Sequence, residues 1–232
     1  MFVRRSLIPL ALALFAARCS DRIGLRQPLA TAPHFVRWAG GATPQFSLGG
    51  RPGQVATTAL LGSPSSGLRA ALSGALSLSL QRDTATFWAV RGQQRSVQIN
   101  YLSVTGDTSA PFLLLAIADP VYAPAQGSLA WGDSVLVTVA IDPYTIKVSL
   151  LPTGLLFGDS AQLQMSYAGA GGDLNGDGVV DSTDAYIESH LLGLWYRETA
   201  DSAWAPILAT QSLPAKSFSS ALPHFSEYAV SW

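Results

Sequence analysis

From Thr84 onward the chain alternates between apolar and polar positions. Val97, Ile99 and Tyr101 are separated by Gln98 and Asn100, the two-residue period of a half-buried strand. Val135, Val137, Val139 and Ile141 share one face of another strand, which ends at Asp142-Pro143. Residues 144–150 resume the alternation, and 161–167 present Leu163 and Met165 to a core. Residues 112–117 are a continuous apolar run, and shorter runs follow at 194–197, 204–208 and 228–232. Strands this short, broken by Gly, Pro and Asp, predict a mainly β fold, an antiparallel β-sandwich. The one helical pattern is short and follows Asp184.

Before Thr84 the texture differs. Arg4 and Arg5 precede an apolar run over 7–17, too short to span a bilayer and suited to the export signal predicted at 1–19. The lone cysteine, Cys19, follows directly, as the acylated residue of a bacterial lipoprotein does, although Arg18 stands where such signals carry Gly, Ala or Ser. The two readings are lipidation at Cys19 and ordinary cleavage near Ala16 or Ala17. Both place the protein outside the cytoplasm, in the bacterial cell envelope or beyond, with membrane contact only through a lipid on Cys19. Residues 20–83 are rich in Ala, Gly, Pro, Ser and Leu, with breaker clusters at 49–53 and 63–67, and predict a flexible tether with a stray strand or a short helix near 68–76. A sandwich domain then occupies 84–232.

Candidate chemistry concentrates in 173–184, which read D-L-N-G-D-G-V-V-D-S-T-D. Oxygen side chains stand at loop positions 1, 3, 5, 9 and 12 (Asp173, Asn175, Asp177, Asp181 and Asp184), Gly178 permits the turn at position 6, and the Val179 carbonyl supplies a backbone oxygen at position 7. This is the spacing of an EF-hand loop with Asp in place of the usual final Glu. Four carboxylates in so short a segment repel one another unless a cation such as Ca²⁺ sits among them. The loop lies within the long connection between the strands at 161–167 and 194–197, which an ion would order.

Residues 173–193, DLNGDGVVDSTDAYIESHLLG, resemble one repeat of a type I dockerin. The resemblance implies a calcium loop, a short amphipathic helix, and a part for Ser182-Thr183 in choosing a cohesin-like partner. Dockerins carry two repeats, and a second is not found in this chain. His224-Phe225-Ser226, with Pro152-Thr153-Gly154 and 163–167, resembles a ZU-type domain, the β-sandwich of ankyrins and netrin receptors, over about 84–232. Some of those relatives cleave themselves at His-Phe-Ser. The implied step is attack of Ser226 on the Phe225 carbonyl with His224 as base. The plainer reading is a buried Phe225 between two surface polar residues.

Other chemistry is not advertised. The three histidines, His34, His190 and His224, lie in neither a hydrolase elbow nor a zinc motif, and His190 reads as a surface residue. Asp133 and Asp159 each sit in Gly-Asp-Ser, which reads as a turn before a strand. Trp88, Trp195 and Trp232 fall in apparent strands and read as core. Only 12% of residues are charged, and removing the loop's four negative charges from a net −1 leaves +3, too little to draw a nucleic acid. The sequence predicts a non-enzymatic exported module with a structural Ca²⁺ site, the alternatives being a scaffold docking a partner through 182–192 and self-cleavage at Phe225-Ser226. Val180, which in a paired loop meets its counterpart, is expected to pack on the sandwich or near Ile187 or Leu191, fastening the loop together with Leu192.

Overall fold

The computed structural model describes residues 33–39, 79–102 and 108–232. Cys19, the predicted signal and the helix near 68–76 lie outside them. The alternating segments pair, antiparallel throughout, into two sheets. The larger runs β1 (Ser79–Leu80), β3 (Arg95–Leu102), β4 (Thr108–Ile117), β9 (Leu156–Ser166), β13 (Ser217–His224), β12 (Thr210–Ser212). In it β5 (Pro120–Ala123) pairs with β9 and with β6 (Gly127–Ser128). The smaller runs β11 (Ala205–Pro206), β10 (Gly193–Arg197), β14 (Glu227–Ser231), β8 (Lys147–Leu151), β7 (Ser134–Ile141), β2 (Thr84–Val90). One hydrophobic core joins both sheets: Ile99, Leu113, Leu115 and Leu163 from the larger, Val137, Val139, Val148 and Tyr228 from the smaller. The mainly β, sandwich-like fold is the one the alternation predicts, and the expected short helix, α1 (Ser182–Tyr186), is present but begins within the last three residues of the acidic loop.

The pattern is clearest in β7, where Val135, Val137, Val139 and Ile141 are all buried. It misleads at 144–150. The Asp142 carboxylate accepts from the backbone N–H groups of Tyr144 (2.9 Å) and Thr145 (2.8 Å), so a turn delays β8 to Lys147 and leaves Tyr144 exposed. Burial alone would raise that carboxyl; the two N–H groups and Lys147 outweigh it and hold it below the ordinary carboxylate value. Asp133 caps a turn before β7 as predicted, accepting from Ala130 N–H at 2.7 Å, whereas Asp159 lies inside β9. Trp88 is 56% exposed, not core, because it points outward from β2 opposite Leu136.

Residues 33–39 are not tether. Val36 N–H donates to the Val230 carbonyl (3.1 Å), and the Val36 carbonyl accepts from Ile146 N–H (2.8 Å), so one residue bridges β14 and the chain entering β8. Trp38 is buried against Phe112, ring centroids 5.2 Å apart, and its indole N–H donates to the Asp142 carbonyl at 3.0 Å. Gly169 lies under the same ring, where a Cβ would come within 2.6 Å of it. Phe35, Val36, Trp38 and Ala39 stand too close together in this short segment to show a clear period, yet Val36, Trp38 and Ala39 are buried. Ser79–Leu80, at the end of the predicted tether, likewise belongs to the larger sheet. Trp38→Ala is expected to cost about 3–5 kcal/mol in urea unfolding, and Trp88→Ala no more than about 0.5 kcal/mol. Equal small losses would remove residues 33–39 from the folding unit.

Candidate metal centre

The acidic loop hangs between β9 and β10. After Ser166 the chain makes a 3₁₀ turn (Ala168–Ala170), crosses Gly171 and Gly172, runs through 173–184, and returns by α1 and a π-helical turn (Ile187–Leu191). Gly176 and Gly178 both have positive φ, 78° and 89°, a conformation that disfavours any side chain. Only the second was singled out from the spacing.

Hydrogen bonds wind the backbone round its own acids. Asp173 accepts from Gly176 N–H through Oδ1 (2.7 Å) and from Gly178 N–H through Oδ2 (2.9 Å), bringing positions 1, 4 and 6 together. Asn175 Oδ1 accepts from Asp177 N–H (2.9 Å), and Asp177 Oδ1 from Val179 N–H (2.8 Å). The Asn175 amide also donates to Asp177 Oδ2 at 2.9 Å. Asp184, 3% exposed, ties the two ends of the loop: Oδ1 accepts from Leu174 (2.7 Å) and Asn175 (3.2 Å), Oδ2 from Asp181 N–H (3.0 Å). Asp181 caps α1 through Thr183 N–H at 2.7 Å. Hydrogen bonds from the Thr183 backbone and side chain hold the Asp181 carboxyl below its ordinary value.

Asp173, Asn175 and Asp177 thus bond the backbone of the loop's first half and Asp184 reaches back to Leu174 and Asn175, while Asp181 caps the helix N-terminus. No three His, Cys, Asp or Glu side chains converge on one point among the described residues. The ion pairs there join Arg91 to Asp119, Lys147 to Asp142, Arg197 to Glu227 and Lys216 to Glu188; none includes a loop carboxylate. The donors are hard oxygens, the chemistry that Ca²⁺ takes, so the residues present fit that ion.

Val180 departs from expectation. It is 53% exposed, closing over Gly172, whose Cβ would lie 3.3 Å from Val180 Cγ1. The anchor is instead Leu174 at loop position 2, buried in the core, where its carbonyl accepts from the Trp232 indole at 3.2 Å. Ile187 and Leu192 are buried as well, the latter as predicted. Gln211 completes the attachment, its amide donating to the Glu188 carbonyl (2.9 Å) and to the Tyr167 hydroxyl (3.0 Å). A leucine between Asp and Asn was the signal for Leu174; nothing in the sequence marked Gln211.

Ser182 and Thr183 are exposed on the first turn of α1. Beyond them Tyr186, 54% exposed, stacks on exposed His190 at 4.7 Å, and Leu191 is exposed too. At the other motif, Phe225 is buried as expected, but so is Ser226. The Phe225 carbonyl accepts from Gly154 N–H at 2.9 Å, and His224 Nδ1 lies 3.3 Å from the same oxygen. Ser226 Oγ donates to the Arg197 carbonyl, which holds the implied nucleophile in a structural bond. The chain matches no family model, and neither a curated protein nor a solved structure is significantly similar to it.

Asp184→Ala strips three N–H groups of their acceptor, at about 1–3 kcal/mol for the buried Leu174 N–H alone, so amide exchange over 172–193 is expected to quicken while β7 stays protected. Loss of protection in β7 as well would make the loop part of the global unfolding unit. Because the Asp181 carboxyl is depressed in the folded state, its contribution is full above about pH 4 and fades as pH falls through the lower folded value. Protection of the Thr183 amide, followed by NMR, is expected to fall along that acid limb. Flat protection down to about pH 2 would contradict the cap.

Proposed function

We propose that the protein is an exported, non-enzymatic β-sandwich module whose acidic loop binds Ca²⁺ as a structural ion. Asp173, Asn175, Asp177, Asp181 and Asp184 would hold it by side-chain oxygens and Val179 by its carbonyl. The ion supplies positive charge that lets four carboxylates share one loop. The observation that carries this reading is that combination: a backbone already wound round its acids, and no cationic side chain paired with any of them among the described residues. Export rests on Arg4, Arg5, the apolar run and Cys19 in the sequence. An affinity on the order of 10⁻⁴–10⁻³ M suits an extracellular module.

The exposure of Tyr186, His190 and Leu191 favours a second use of the same element, docking of a cohesin-like protein through 182–192. An apolar face left open beside an ion site is a surface for a partner. Self-cleavage has less support, because the Ser226 hydroxyl is engaged elsewhere.

Calcium at about ten times its Kd should stabilise by about 1.4 kcal/mol, raising Tm by about 3–5 °C. Asp173→Ala should abolish the shift. Coincident melts with millimolar calcium and with chelator would refute a structural site. For docking, Tyr186→Ala should leave Tm unchanged and weaken calcium-dependent capture of a purified cohesin; calcium-independent or unaltered capture would exclude this face.

A further inference from the structure

A cleft of about 590 Å³ opens where β12 stops and the second half of β13 loses its neighbour on that side. Residues 207–209, crossing from one sheet to the other, form its outer wall. That wall is pinned. Ile207 N–H donates to the Leu194 carbonyl at 2.9 Å, and Ser220 Oγ donates to the Leu208 carbonyl at 2.8 Å. On the inner wall the Tyr228 hydroxyl donates to the His224 carbonyl at 2.6 Å. A cleft held at both walls needs little ordering when something enters it.

Among the described residues, no side chain lining the cleft is an acid, a lysine or an arginine, which disfavours ionic ligands. Its polar side chains are the Gln162 amide, the Thr210, Ser219 and Ser220 hydroxyls, the two tyrosine hydroxyls and the His224 ring. They accompany the half-buried ring of Tyr196, fixed edge-on against His224 at 5.8 Å and stacked with Tyr228 at 6.4 Å. A half-buried aromatic ring among scattered amide and hydroxyl groups matches a molecule with an apolar C–H face and a rim of hydroxyls. Strand addition by a peptide fits worse, because Pro223 removes a donor from the open part of β13. Leu208, 93% exposed at the rim, extends the apolar wall into solvent.

We propose that this cleft binds the pyranose units of a neutral polysaccharide, with Tyr196 as the stacking platform. The test titrates the full chain with neutral hexasaccharides of β-1,4-linked glucose, xylose and N-acetylglucosamine and of α-1,4-linked glucose, by calorimetry and NMR. At least one should bind with Kd on the order of 10⁻⁴–10⁻³ M. Tyr196→Ala should weaken it about tenfold or more. Leu208→Asp, which alters a side chain already in water, should weaken it too and guards against misfolding of the first variant. The affinity should be the same with calcium and with chelator, so failure here leaves the calcium reading standing. Silence from every sugar at about 10 mM, binding indifferent to both variants, or a peptide entering the cleft while sugars do not, would overturn the proposal.

Discussion

A strand buried on both faces must find a partner for every backbone group, and in this protein that strand is β14. Tyr228 to Ser231 are all buried, so water satisfies none of them. β10 pairs along its whole length, but β8 covers only Glu227 to Ala229. Residues 33–39 complete the pairing, Val36 taking the Val230 carbonyl and His34 exchanging two bonds with Trp232. Trp232 then turns its indole to the Leu174 carbonyl and stacks on His34 at 4.6 Å. The end of one strand thus joins the N-terminal segment, the smaller sheet and the acidic loop.

That junction explains how a lone calcium-type loop is kept in place. A paired loop leans on its twin, whereas this one is attached through Leu174, Ile187 and Leu192 in the core and through Gln211 at the π-helical turn. The π turn itself shifts the bond register, Leu192 N–H reaching the Ile187 carbonyl at 2.9 Å, and leaves the Glu188 carbonyl for Gln211. With the loop's inner side anchored in this way, Val179, Val180, Tyr186 and Leu191 are left facing solvent. The proposed structural and docking roles would therefore fall on opposite faces of one short element.

The fold was legible where one face of a strand is apolar, as in β7, or where both are, as in β4, flanked on each side by β3 and β9. It was illegible where inward positions are polar. β13 turns Phe218, Ser220 and Leu222 inward, and Ser220 is tolerated because it bonds the Leu208 carbonyl; its hydroxyl hid the alternation. Residues 33–39 escaped notice because their burial comes from partners far along the chain, such as Phe112 and Val230, which no local period records. At the site, the recurrence of side-chain oxygens at fixed steps was readable from the sequence. The choice of Leu174 over Val180 as anchor was not, since it depends on which side of the loop meets Trp232.

The central claim is that the acids of 173–184 are arranged for a cation rather than for one another. Crystals grown in millimolar calcium, with anomalous differences collected at a long wavelength, test it without recourse to stability. The account predicts a single strong peak within the loop, ligated by Asp173, Asn175, Asp177, Asp181 and Asp184 oxygens and the Val179 carbonyl. A loop with no peak, or an ion bound only elsewhere on the sandwich, would contradict it.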